Sequence, residues 1–142
     1  MKNKQAIEKC KKVCGEKGFK ATPQRIAVYS EIACRYDHPP VESIYSSVRK
    51  KHSRISFDTV FRTINLLVEI GLIKPVASQD GVKRFDANNG QHHHFYCTKC
   101  GKIYDFLSAY YDEIKIPDKL PDASKITGKK VMLEGICEKC NK

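Results

Sequence analysis

A chain of 142 residues with 26 Lys and Arg against 16 Asp and Glu, a formal charge of +10, has room for one ordinary domain or two small ones. No stretch approaches the roughly 20 apolar residues of a membrane span, and no apolar run follows the lysines of the opening MKNKQAIEKCKKVC, so neither a membrane anchor nor a secretory leader is expected. The expected compartment is the cytoplasm, where seven cysteines suggest metal or redox roles over structural disulfides.

In chain order, the first predicted element is a helix with Ala6, Ile7, Cys10, Val13 and Cys14 on one stripe, ending by Gly18. A second opens with Thr22 as N-cap and Pro23 at the first helical position, and is expected to bury Ile26, Tyr29, Ile32 and Ala33. After YDHPP a third carries Val41, Ile44, Tyr45 and Val48 on one side. A fourth is capped by Ser56, striped by Val60, Ile64, Leu67 and Val68, and stopped by Gly71. Two short strands then flank Gln79-Asp80-Gly81, whose Asp-Gly pair is a hairpin turn signal.

Helices closed by a hairpin describe a winged helix-turn-helix. The helix opened by Ser56 is its expected recognition element, with Ser56, Thr59, Phe61 and Arg62 near the end that enters a major groove. Arg62 suits a guanine edge or a phosphate, and Phe61 a thymine methyl. Charge agrees. Residues 1–85 hold 17 Lys and Arg against 8 Asp and Glu, a net of +9, whereas residues 86–142 hold 9 against 8. Such a footprint fits a nucleic-acid-binding half. Cys10, Cys14 and Cys34 are read as small buried hydrophobes.

The stretch QHHHFYCTKCGKIYDF, residues 91–106, raises the question of one metal or two. If His92 to Cys97 is a strand, His92, His94 and Tyr96 point one way, and His93, Phe95 and Cys97 the other. Cys97-Thr98-Lys99-Cys100-Gly101 reads as a knuckle that turns both sulfurs inward. The histidine and cysteine pairs therefore face apart, and two sites are expected. Cys137-x-x-Cys140 supplies a second knuckle, 36 residues beyond the first. Four such thiolates suit structural zinc, with a four-sulfur iron centre or a redox dithiol as competing readings. Residues 86–142 are few for a core, so a bound metal would supply much of that half's folding free energy.

TPQR at 22–25, HPPVESIY at 38–45, SFDTVFRTINLL at 56–67, KRFD at 83–86, HHHFYCTKCGKIYDF at 92–106 and GICEKC at 135–140 together resemble the Fur (ferric uptake regulator) family of metal-dependent repressors. The resemblance implies an α+β chain: a winged-helix domain over residues 1–85, a hinge at 86–91 and a small α/β dimerisation domain over 92–142. It implies structural zinc on Cys97, Cys100, Cys137 and Cys140, and a regulatory Fe(II) or Mn(II) on His38, Asp86, His92, His94 and Asp105. The implied partners are a double-stranded DNA operator and a second copy of the chain. No membrane is expected, and no small-molecule substrate besides peroxide as signal.

Asp105 bears on the subgroup. Family members resembling the peroxide sensors (PerR) have aspartate here, and iron sensors commonly glutamate, so CGKIYDF resembles a peroxide sensor, with His38 and His92 as implied oxidation targets. The alternative is an iron-responsive repressor. A further metal site of some relatives would fall on Gln91, His93, Asp112 and Lys129; a charged lysine cannot ligate, so that site is expected to be absent and His93 to lie at the surface or behind the ligands. Phe61 stands where the family usually has tyrosine, which removes a hydroxyl contact. The reading from a different class is a non-haem iron or thiol redox enzyme, though no substrate-pocket or second cofactor motif supports it.

Overall fold

The computed structural model describes residues 1–121 and 124–142 and divides into two compact units, Met1–Asn89 and Gly90–Lys142. The first unit begins with four helices, α1 (Asn3–Glu16), α2 (Pro23–Ala33), α3 (Val41–Lys51) and α4 (Phe57–Glu69). Helix α1 buries Ala6, Cys10 and Cys14 completely, a run of i, i+4 steps that lines one helical face. Thr22 Oγ1 accepts the Arg25 N–H at 3.3 Å to start α2, and Ser56 Oγ accepts the Thr59 N–H at 3.1 Å to start α4. Each cap satisfies a donor that the helix itself cannot.

The expected stripes hold with small rotations. Val28 joins Tyr29, Ile32 and Ala33 in the core, while Ile26 is half-buried. In α3, Val41, Ile44 and Val48 are buried and Tyr45 is half-covered, its ring edge-on to Phe57 at 5.5 Å. In α4, Thr63 takes the place expected of Val68 beside Val60, Ile64 and Leu67. Burying each large aliphatic here is worth about 1.5–3 kcal/mol over leaving it exposed. Gly71, at φ 79°, ends α4 in the left-handed conformation that glycine adopts without strain.

Leu72 and Ile73 are buried and lead into the antiparallel hairpin β1 (Lys74–Val76) and β2 (Arg84–Asp86), paired Lys74 to Asp86 and Val76 to Arg84. The turn between them contains Gly81 at φ 76°, and Asp80 accepts the Val82 N–H at 3.0 Å. This wing is tied back to the helices. Pro40 bridges to Arg84, and Arg84 Nη1 donates to the His38 carbonyl at 3.4 Å.

The second unit is a three-stranded sheet in the order β4 (Ile103–Phe106), β3 (His93–Cys97), β5 (Met132–Gly135), with a short helix α5 (Ala109–Asp112) between β4 and β5. Strand β3 runs antiparallel to β4, setting His94 opposite Asp105, and parallel to β5. Its buried apolar set is small: Val131 is only half-covered, and Tyr96, Cys97, Ile103 and Cys137 are the buried hydrophobic side chains among the described residues. Among the described residues, no helix is long and apolar enough to cross a membrane.

Candidate metal centres and nucleic-acid interface

The four second-unit cysteines converge, each offering a sulfur within 4.8 Å of the others. Parallel pairing of β3 with β5 brings Cys97 beside Gly135, and the Thr98 N–H donates to the Gly135 carbonyl at 2.8 Å, so the two knuckles start from one sheet edge. Gly101, at φ 73°, closes the first knuckle with its N–H on the Cys97 carbonyl; the Cys140 N–H closes the second on Cys137. Cys100 Sγ lies 3.9 Å from Cys137 Sγ. A tetrahedral zinc with bonds of about 2.3 Å sets its sulfurs about 3.8 Å apart, so the donors fit that ion.

The sulfurs differ electrostatically. The Cys137 N–H, at 3.3 Å, leads the backbone donors that bring Cys97 down to about 6. Burial pushes the Cys137 thiol up, but the Cys140 N–H and the Tyr104 hydroxyl outweigh it and hold Cys137 below the usual thiol range. Cys140, hydrogen-bonded to Cys137 and desolvated, is pushed up to about 12. A divalent cation removes this conflict, because every ligand can then ionise. By contrast Cys10 and Cys14 sit in the first unit's core, where burial, and then Cys14, push Cys10 up to about 12. A thiol so protonated is a packing group, not a nucleophile. Cys34 is half-buried against the same core.

Histidines meet aspartates within each unit. In the first, the wing's tie to the HPP turn places Asp86 Oδ2 3.4 Å from His38 Nε2, and both residues are buried. His38 has φ 51°, the one positive value outside glycine among the described residues. Strain of that kind is held by surrounding structure and clusters at functional sites. In the second unit, Asp105 Oδ1 lies 3.3 Å from His94 Nε2 and 3.7 Å from His92 Nε2. The two rings meet edge-on with centroids 4.8 Å apart, so His92 keeps the expected alternation although β3 begins one residue later. His92 Nδ1 donates to the Gly90 carbonyl at 2.6 Å, which places the ring proton on Nδ1 and turns Nε2 toward Asp105, an orientation that backbone carbonyls also give to ligating histidines. Imidazole with carboxylate suits Fe(II) or Mn(II) better than the soft thiolate cage does.

His93 is not a surface residue: it is fully buried. Its Nε2 lies 2.8 Å from Asp112 Oδ1, its Nδ1 accepts the Val131 N–H at 3.0 Å, and Phe106 and Tyr111 pack around its ring. Gln91 Nε2 donates to the same Asp112 oxygen and to the Lys129 carbonyl, while Lys129 Nζ donates to the Ile114 carbonyl at 2.9 Å. The reason is topological. Period two turns His93 away from His92 and His94, and α5 with residues 129–131 covers the face it turns to.

On α4, Phe57 and Phe61 are nearly half exposed despite their size. Ser56 and Thr59 are engaged in the cap, their hydroxyls 2.9 Å apart. Arg62 is paired rather than free, its Nε 2.9 Å from Asp58 Oδ2 one turn back. Both partners are well exposed, and an exposed i, i+4 pair is worth only about 0.3–0.5 kcal/mol.

The sequence model of the Ferric uptake regulator family matches residues 16–134. The peroxide operon regulator of Bacillus subtilis (strain 168) is 31% identical over 98% of this chain and 93% of its own length. Among solved structures, PerR from Streptococcus pyogenes, described for peroxide sensing and gene regulation, aligns with TM-score 0.54 and 26% identity over 95% of this chain and 92% of that one. The Helicobacter pylori ferric uptake regulator, a protein with three functional metal binding sites, aligns with TM-score 0.75 and 21% identity over 100% of this chain and 95% of that one.

Proposed function

Because the chain belongs to the ferric uptake regulator family, we propose that it is a metal-dependent, DNA-binding transcriptional repressor that senses peroxide. The observation that carries this reading is the His92–His94–Asp105 set, in which a backbone carbonyl holds Nδ1–H of His92 and leaves Nε2 directed at the carboxylate. His38 and Asp86, the further ligands that the family resemblance implies for Fe(II) or Mn(II), lie 3.4 Å apart and buried in the first unit. Zinc on the four cysteines is structural. The repressor acts in the cytoplasm as a homodimer; Leu107, Tyr110 and Ile136, all more than half exposed in the second unit, supply apolar surface for the second copy.

The test begins with zinc-loaded full-length protein and Mn(II), using duplexes selected from genomic fragments. Mn(II) is expected to tighten duplex binding by about tenfold or more, within the usual range of allosteric coupling. His38→Ala, Asp86→Ala and His94→Ala should each abolish that gain while zinc content stays unchanged. Equal affinity with and without Mn(II) would defeat the reading, and metal-dependent turnover of peroxide without duplex binding would favour an enzyme.

Ser56, Thr59, Phe61 and Arg62 are proposed to face the major groove. Arg62 can exchange its weak pair with Asp58 for a base edge or phosphate at little cost. Arg62→Ala is expected to cost about 1–3 kcal/mol at one base position if it reads an edge, or to weaken all duplexes and reduce the salt slope by about 1 if it meets phosphate. Unchanged affinity across a salt series removes Arg62 from the interface.

A further inference from the structure

His93 stands between two proposed ligands yet faces away from them, and its hydrogen bonds fix its tautomer. Nδ1 accepts the Val131 N–H, so the ring proton of the neutral imidazole is on Nε2, where it is donated to Asp112 Oδ1 at 2.8 Å. That state has no lone pair to offer a cation at Nε2, and Nδ1 is taken. The group is therefore committed to hydrogen bonding.

We infer that His93 is a positioning residue, and that the Val131–His93–Asp112 chain of hydrogen bonds holds the segment carrying His92 and His94 in the geometry that their metal requires. The inference rests on the regulatory-metal reading above. Its physical basis is that successive residues are anchored. Gln91 Nε2 donates to Asp112 Oδ1 and to the Lys129 carbonyl. His92 Nδ1 donates to the Gly90 carbonyl. Val131 donates to the His93 ring and accepts the His94 N–H at 3.0 Å, so one residue grips two consecutive histidines. Ligand rings must hold their direction within about 10–20°, and breaking supports behind ligands costs about 10–100-fold in metal affinity.

Asp112 is the place to test this, because its side chain is 41% exposed whereas that of His93 is fully buried. Asp112→Asn keeps an Oδ1 acceptor for the Nε2–H of His93, whereas Asp112→Ala removes it. Zinc-loaded full-length proteins are titrated with Mn(II), following free aqueous Mn(II) by electron paramagnetic resonance. Asp112→Ala should bind Mn(II) about tenfold more weakly than the unmutated protein, the low end of that range, with zinc stoichiometry unchanged and Asp112→Asn close to normal. Long-range ¹H–¹⁵N spectra of the manganese-free, zinc-loaded protein should place the His93 proton on Nε2.

Equal Mn(II) affinity in Asp112→Ala and the unmutated protein overturns the inference, as does a His93 proton on Nδ1. Equal weakening by Asp112→Asn overturns it too, since charge and not the hydrogen bond would then be acting. Loss of zinc from Asp112→Ala would reduce the pair to a fold contact and likewise overturn it. If the unmutated protein fails to bind Mn(II), the regulatory-metal reading itself has failed, and the inference falls with it.

Discussion

Cys97→Ser protein is expected to contain no zinc and to lose the fold of the second unit, while the four helices of the first remain intact. The magnitudes decide this. Tyr96 and Ile103 are the large apolar side chains buried there among the described residues, and each contributes about 1.5–3 kcal/mol. That total cannot offset the conformational entropy of ordering some fifty residues, at about 1–2 kcal/mol each for the backbone alone. Structural zinc supplies about 10–16 kcal/mol of apparent binding free energy at neutral pH, and in so small a unit this is folding free energy. Cys97 is the most damaging single loss, because it is fully buried and its sulfur receives the N–H groups of both Cys100 and Cys137. A serine oxygen is a poorer zinc ligand and a poorer acceptor for long N–H contacts. Elemental analysis should find zinc absent, and hydrogen exchange should find β3, β4 and β5 unprotected, with α1 to α4 unchanged. A zinc-free Cys97→Ser protein whose sheet stays protected would refute the structural role.

Much of this architecture could be read from the sequence because its punctuation is local. Thr22-Pro23, Ser56 and Gly71 start and stop helices through bonds to residues three to five positions away, and such signals survive without tertiary knowledge. Alternation likewise separated His92 and His94 from His93, and the knuckle spacing announced the four-sulfur cage. The pairing of Asp58 with Arg62 lies within the same reach, at i, i+4 spacing on one helix. What could not be read depended on distant chain. His93 has partners 19 and 38 positions away, and alternation says which way a residue points but not what covers that face. His38 takes φ 51° with no glycine to signal it, and its carbonyl accepts from Arg84, 46 positions on. The proposed ligand roles of His38 and Asp86 are implied by family resemblance alone, since no spacing in the sequence points to them.

Peroxide should separate this protein from an iron-responsive repressor by where oxygen is added. In Fe(II)-loaded protein, brief exposure to hydrogen peroxide is expected to add one oxygen atom to the ring of His92 or His38, with the second peroxide oxygen leaving as water. Nitrogen and carboxylate donors with an open position are the environment in which Fe(II) activates oxygen species, and His92 and His94 are the buried oxidisable groups beside Asp105. In the second unit His92 is the target that the family resemblance implies, and its ring is held at Nδ1 by the Gly90 carbonyl. In the first unit His38 is buried against Asp86 and already in a strained backbone conformation. An oxidised ring is a weaker ligand, so the metal would be lost and duplex affinity would fall to the metal-free level. Mn(II) reacts poorly with peroxide, and the Mn(II)-loaded protein should keep both its histidines and its DNA. The four cysteines should remain unoxidised at the same dose, because zinc saturates them and offers peroxide no open position. Peptide mass spectrometry of the Fe(II) and Mn(II) forms, paired with duplex binding on the same samples, reads every part of this. Histidine oxidation confined to the iron form, with loss of duplex binding, is the expected result. Intact histidines with cysteines oxidised first would remove peroxide sensing and leave an iron-responsive repressor in its place.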